Sequence, residues 1–320
     1  MRHAPRHTID DRATQNVVLA RSALTRALRT RLHERGAVEV TTPSMSRMPD
    51  IAPMAQFRAA HPAFEGEWLL RIAPTESLKR LVAIGFPAVF ELSVNFRGDA
   101  PDTTHLPEFA SLEVMQIGAD CAAMRTLTVD LLRTAVEAVR PHAERDVEVP
   151  DVREVTVDEL LSATNLSTIA ARDDHGRLVD ASTGRPLASG ALDGLVGEAV
   201  AAQPGLLFVT EFPWGLGGPA ASCSHDPRVK ERCELFLDGV EMANMSSTLT
   251  DQAALRRWHE DGVAAKAALG IVPNHLDEGL LEDLAALPAS AVTGIGIERI
   301  LTYALGLDDI RQVSLSHLLV

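Results

Sequence analysis

The sequence has 320 residues, 46% hydrophobic and 23% charged, with enough length and apolar content to bury a sizeable core; a disordered, collagen-like or low-complexity chain is excluded. Thirty lysines and arginines against 44 aspartates and glutamates give a net charge of −14, an odd match for a protein whose main work is gripping phosphate backbones. No apolar run approaches a membrane span, the N-terminal MRHAPRHTID lacks a signal-peptide stretch, and the scattered Cys121, Cys223 and Cys233 suit a reducing cytoplasm rather than a disulfide framework or zinc site, so a soluble intracellular protein is expected.

From the N-terminus, Val17, Ala20, Leu24, Leu28 and Leu32 recur at helical spacing, with Asp10 or Asp11 as cap and Gly36 as terminator. Residues 38–42 alternate as a strand ended by Pro43, residues 68–72 read as a buried strand, and Pro74-Thr75 enters a helix carrying Leu78, Leu81 and Val82. Residues 88–97 place Phe90, Leu92, Val94 and Phe96 on one face and Glu91, Ser93, Asn95 and Arg97 on the other. Residues 108–117 set Ala110, Leu112 and Val114 against Phe109, Ser111, Glu113 and Met115. Two long antiparallel strands therefore present Arg97 and Glu113 to a common cleft. Helices follow at about 120–142 and 156–165, with about 145–205 assigned to a peripheral insertion. A strand at 206–210 and a Gly/Pro/Ser-rich loop at 214–227 precede a hairpin turning at Asp238-Gly239. That turn pairs Leu237 with Val240 and Phe236 with Glu241, placing Glu234, Phe236 and Glu241 on one face. Helices at about 251–269 and 276–286 lead to a strand through Gly294 that breaks into a final helix at 299–305. Antiparallel strands with helices grouped around them define a single α+β domain over 1–320.

Two carboxylates on one hairpin face are a donor set for a hard cation such as Mg²⁺, or equally a pair of solvated acids. Gly294 and Gly296, where a strand meets a helix, let a planar or phosphorylated group approach the backbone, or simply ease packing. The Gly215-Leu-Gly217-Gly218 run enters no βαβ unit and is no dinucleotide fingerprint. Ser222, Cys223 and His225 read as a polar loop.

These signals occur together and in order. Arg35-Gly-Ala-Val-Glu-Val40 through Pro43, then Asn95-Phe-Arg97-Gly-Asp99 with His105-Leu-Pro-Glu-Phe109 and Leu112-Glu113, then Gly294-Ile-Gly-Ile-Glu298-Arg299 resemble motifs one, two and three of the class II aminoacyl-tRNA synthetases. Arg71-Ile-Ala-Pro74 with Leu78-Lys-Arg-Leu81, and residues 102–109, are similar to the lysyl branch. The resemblance runs from about 14 to 316 and is weakest between 145 and 205. The motifs begin almost at the N-terminus and leave no room for the anticodon-binding barrel that precedes the lysyl catalytic domain, so a catalytic core alone is expected. Within the family, residues 224–244 are most similar to the elongation factor P lysine ligase, a truncated relative that attaches a β-lysine to a protein lysine.

The resemblance implies a class II antiparallel sheet flanked by helices, ATP and Mg²⁺ as cofactors, and a homodimer formed through the first helix and Pro43. It implies that Arg97 contacts the α-phosphate and the substrate carboxylate, Phe109 stacks on adenine, His105 and Arg299 bind the β- and γ-phosphates, and Glu234 and Glu241 hold the metal. Gly294 and Gly296 would let the nucleotide lie against the backbone, and Asp99 stands where the family usually has glutamate. In the amino-acid pocket, Ala73, Glu113 and Asn244 keep the pattern. Thr75 replaces a glutamate, with Glu76 one place late and turned away by a helix step; Met115 replaces a tyrosine, Ser246 a phenylalanine and Thr248 a glutamate. An unpaired buried ammonium costs roughly 3–5 kcal/mol, so the loss of two acids argues against ordinary lysine. The expected activity is an AMP-forming ligase that adenylates a smaller or less cationic acid and passes it to an elongation factor P-like protein, a carrier protein or a small molecule. Lysyl-tRNA aminoacylation and a non-catalytic ATP-binding paralogue are the alternatives. One conflict stands: strict alternation puts Glu241 opposite Asn244, Ser246 and Thr248, and a bulge around Met242–Ala243 would reconcile them.

Overall fold

The structure is a computed structural model and describes residues 11–47, 56–63, 66–98, 100–164, 170–172, 178–184, 189–201, 203–214, 218–268 and 278–319. The chain opens with α1 (Asp11–Glu34), β1 (Val38–Glu39), β2 (Met45–Ser46), β3 (Arg58–Ala59), β4 (Trp68–Leu70) and α2 (Thr75–Ala83). The long strands β5 (Ala88–Phe96) and β6 (Glu108–Ile117) lead to α3 (Cys121–Val139), β7 (Val152–Thr156), α4 (Val157–Ala163), β8 (Ala170–Arg172), β9 (Leu178–Asp180) and α5 (Ser189–Ala201). Next come β10 (Leu206–Pro213), β11 (Val229–Leu237), β12 (Val240–Ser247), α6 (Gln252–Ala268), α7 (Glu278–Ala285), β13 (Ser290–Gly296), α8 (Ile297–Ala304) and α9 (Leu315–Leu319).

Among the described residues, eight strands form one sheet in the order β1-β5-β6-β13-β12-β11-β10-β7. Its interior pairings are antiparallel, and only the edge strands β1 and β7 run parallel to their neighbours. With helices grouped around it, this is the α+β core that the sequence pattern implies. The apolar stripe of α1 is buried as its spacing predicts, Val17, Ala20, Leu24, Leu28 and Leu32 all packing into one core with α3, α8 and one face of the sheet. Gly36, at φ +78°, supplies the left-handed residue that ends α1. Asp10, the other cap candidate, lies outside the described residues, as do Gly215 and Gly217 of the glycine-rich run.

The opposite face of the sheet is covered only at its ends. Under β10 and β7 it packs on α4 and α5 through Val157, Leu160, Leu207, Val209 and Phe236. At the β5 and β6 side it packs on α2, α6 and α7 through Leu78, Val82, Met115, Leu255 and Leu281. Between the two coverings a polar strip stays open.

Three details depart from the sequence reading. The segment 145–205 is not wholly peripheral: β7 joins the main sheet as an edge strand beside β10, a short segment whose alternation is too brief to stand out. The last helix begins earlier, at Ile297, and a 3₁₀ turn (Ile310–Val313) and α9 follow it. The polar face of β5 is buried, with Glu91, Ser93 and Asn95 each at most 3% exposed. Among the described residues, no helix is long and apolar enough to cross a membrane.

Candidate active site

On the open face, strand registers assemble rows of side chains. Glu91, Glu113, Gly294, Asn244 and Glu234 are successive cross-strand partners on β5, β6, β13, β12 and β11, so their side chains share one face. Two residues further along β6, the row Val89, Met115, Val292, Ser246 and Arg232 repeats the pattern. In the other direction, Ser93, Ser111 and Gly296 form the next row.

The hairpin turns at Asp238 and Gly239, both at positive φ (48° and 83°), as a tight two-residue turn needs. Leu237 pairs with Val240 and Phe236 with Glu241, as the spacing implies, but Leu235 pairs with Ala243. Met242 is therefore an extra residue, a bulge that brings Glu241 onto the same face as Asn244 and Ser246.

These rows open into a cleft. Of the residues expected at the site, Ala73, Arg97, His105, Phe109, Glu113, Glu241, Asn244, Gly294, Gly296 and Arg299 line it. Asp99 lies outside the described residues. Thr75, Met115, Glu234, Ser246 and Thr248 do not line it. Thr75 begins α2 and donates to Glu113 Oε2 at 2.6 Å. Met115 is fully buried among the leucines of α2, α6 and α7. Thr248 accepts from Ser290 Oγ at 3.2 Å, and Glu234 accepts from Arg232 Nη2 at 2.6 Å. Glu76 lies 3.9 Å from Lys79 and does not line the cleft.

The cleft's charge is concentrated at its outer end. There the third-motif arginine, Arg299, donates from Nη1 to the Glu241 carbonyl at 2.5 Å and to Glu241 Oε2 at 3.3 Å. Arg299 Nε also donates to the Thr104 carbonyl at 3.3 Å, which ties α8 to the 100–107 loop. The Arg97 guanidinium lies 5.0 Å from the centre of the Phe109 ring, and that of Arg232 lies 5.5 Å from Phe212. Burial pushes the Glu241 carboxyl up, but Arg299, Arg232 and Arg97 together outweigh it and hold Glu241 below the usual carboxylate range. Three guanidiniums thus face two carboxylates. Arg97 Nε and Arg232 Nε are buried without a hydrogen-bond partner, and Arg97, which lines the cleft, thus has a spare donor for an anion.

In the loop, Asp102 accepts from the backbone N–H groups of Thr104 and His105, each at 2.7 Å, and lies 3.0 Å from His105 Nδ1. Burial raises the Asp102 carboxyl, but the hydrogen bonds from Thr104 and His105 prevail and lower it to about 2. Glu298, the acid of the third motif, is buried; it pairs with Arg21 of α1 and accepts from the Ala110 N–H at 2.8 Å. Burial lifts its carboxyl above the ordinary range against both partners. A Cβ built at Gly294 would meet Glu113 Cγ at 3.6 Å, an ordinary contact, so glycine is not sterically required there; it leaves the floor bare between Glu113 and Asn244.

Glu234 and Glu241 share one face of the hairpin and are the donor type that holds Mg²⁺ together with substrate phosphates, but only Glu241 lines the cleft, and Glu234 is paired with Arg232. Among the described residues, no group of three or more acidic, histidine or cysteine side chains forms a metal site without such a substrate. Alternation along β11 carries a further signal: Arg232, two residues before Glu234, must share its face. His225, in the polar loop, bonds Glu211 at 2.9 Å and does not line the cleft.

Thr75→Val keeps the shape of the side chain and removes the hydroxyl that holds Glu113. Urea unfolding should show a loss of about 1.5–3 kcal/mol; an unchanged midpoint would mean the bond contributes nothing.

The fold and the cleft define an enzyme core of the synthetase type, and comparison with known proteins agrees. The family model for tRNA synthetases class II (D, K and N) matches residues 5–316, and the chain belongs to that family. It is 30% identical over 321 residues to the lysine-tRNA ligase of Mycoplasma pneumoniae, covering 95% of this chain and 65% of that protein. It is 33% identical over 321 residues to the lysine-tRNA ligase of Ectopseudomonas mendocina, covering 94% and 63%. The chain therefore spans just under two thirds of the length of these curated relatives.

Proposed function

We propose that the chain is an ATP-dependent, AMP-forming ligase that adenylates an amino acid or related small carboxylic acid. The observation that carries this reading is the convergence of Arg97, Arg232 and Arg299 on Glu241, with buried N–H donors left over at Arg97 and Arg232. In the reaction, a substrate carboxylate oxygen attacks the α-phosphorus, the bond to the bridging oxygen breaks, and pyrophosphate leaves. Arg97 neutralises charge developing at the α-phosphate. Phe109 offers its ring to the adenine, and His105 and Arg299 bind the outer phosphates. Mg²⁺, held by Glu234 and Glu241, supplies further neutralisation of the phosphates when bound.

Substrate choice follows from the inner rows. Glu113 is the acid that remains for an amine, one of its oxygens is taken by Thr75, and the next row is closed by buried Met115. A smaller or singly cationic acid suits this pocket better than lysine. For the acceptor, the names of the relatives favour the second reading, lysyl-tRNA aminoacylation. The altered pocket and the −14 charge favour a protein lysine, as on elongation factor P, a carrier protein or a small amine. A homodimer through α1 is supported by Val18, Leu19 and Val38, which are exposed on α1 and β1.

Pyrophosphate exchange across a panel of α-, β- and non-amino acids tests this. A short acid with a single amine is expected to outperform lysine. Robust exchange with lysine alone, followed by charging of tRNA, would establish the second reading instead.

A further inference from the structure

Far apart in sequence, Cys121 and Cys233 meet in the fold. Cys121 is the first residue of α3, behind its cap Asp120, and its N–H donates to Ser247 Oγ at 2.9 Å. Its Sγ lies 3.8 Å from the Met245 carbonyl oxygen. Met245 is the cross-strand partner of Cys233, and both side chains pack into the core that α3 shares with the sheet. The two side chains therefore come together in that core beside Met245.

They are not equivalent. Cys121 is partly exposed, whereas Cys233 is 1% exposed. The neighbouring Cys233, together with Arg125 one turn along α3, holds the Cys121 thiol below its usual range against the effect of burial. Burial pushes Cys233 far up and Cys223 up to about 11.

We propose that Cys121 and Cys233 are a peroxide-sensitive thiol pair, in which the accessible Cys121 sulfur is oxidised and Cys233 resolves it as an intramolecular disulfide. The Cys121 thiolate attacks hydrogen peroxide, the O–O bond breaks, and the departing hydroxide takes a proton to become water, leaving a sulfenic acid. The Cys233 sulfur then attacks the sulfenic sulfur; the S–O bond breaks, the S–S bond forms, and the Cys233 proton leaves with the hydroxide as a second water. Two thiols lose two electrons and one peroxide becomes two waters. Because Cys233 sits between Arg232 and Glu234, the bond ties α3 to the strand carrying that ion pair.

The test treats the full chain with equimolar hydrogen peroxide, blocks remaining thiols and maps the peptides. The expected product is a Cys121–Cys233 link, reversed by dithiothreitol, with Cys223 still alkylated. In Cys233→Ala, Cys121 should stop as a sulfenic acid that dimedone traps, and Cys121→Ser should form no link. Sulfenic or sulfinic acid at Cys121 of the unaltered protein without a link, a link that includes Cys223, or no oxidation overturns the proposal. A measurement on the unaltered fold stands beside the variants: native Cys121 should alkylate at least about tenfold faster than Cys223 at neutral pH, and equal rates overturn the assignment.

Discussion

Arg97→Ala is expected to lower ATP–pyrophosphate exchange by about a hundred- to a thousandfold or more, the cost of removing one preorganised donor from a developing charge. Arg97 follows β5, where its N–H donates to the Pro107 carbonyl at 2.9 Å, and its guanidinium is stacked on Phe109. The variant loses the charge proposed to face the α-phosphate and also one of the three cations that hold Glu241 ionised. Arg97→Lys should recover only a fraction, because an ammonium cannot reproduce a planar, stacked fork. The readout is independent of the acceptor, so it tests adenylation for either reading. Wild-type exchange in a folded Arg97→Ala protein would sink the assignment.

Glu91→Ala is expected to destabilise the fold by about 3–5 kcal/mol, the cost of leaving one partner of a buried ion pair alone. Glu91 accepts from Arg71 Nη1 at 2.8 Å and from Thr42 Oγ1 at 2.7 Å, and both charged side chains are at most 9% exposed. Arg71 also donates to the Thr42 carbonyl at 3.1 Å and the Val94 carbonyl at 3.1 Å. This network anchors the turn from β4 into α2, the turn that presents Ala73 and Thr75 to Glu113. Denaturant unfolding should show a lower midpoint at an unchanged slope. A loss below about 1 kcal/mol would place Arg71–Glu91 with ordinary surface pairs.

Much of this was legible in the sequence where periodicity is long. The α1 stripe, the alternation of β5 and β6, and the Asp238-Gly239 hairpin each extend over enough residues to fix an element and its buried side. The lining of the candidate cleft was legible wherever a motif placed its residues on or beside such an element, as with Arg97, Phe109 and Glu113. What was not legible came from contacts between distant segments. Alternation cannot show that Glu91 is buried by Arg71, that Glu298 reaches Arg21, or that Thr75 spends its hydroxyl on Glu113. The cysteines read as scattered because their meeting depends on how α3 lies against β11 and β12, which no local pattern encodes. The edge strand β7 is too short to announce itself beside the helix that follows it.

The extra residue at Met242 imposes a parity rule on the hairpin arm. Strand side chains repeat every two residues, so adding or removing an even number between Glu241 and Asn244 preserves their common side, whereas an odd change sends one of them through the sheet to the α1 side. A one-residue deletion there would leave the hairpin's length nearly unaltered while separating the Glu241 carboxylate, proposed to hold the metal, from the Asn244 amide that lines the cleft. In this arm, the chemistry of the cleft is set by whether a count is odd or even.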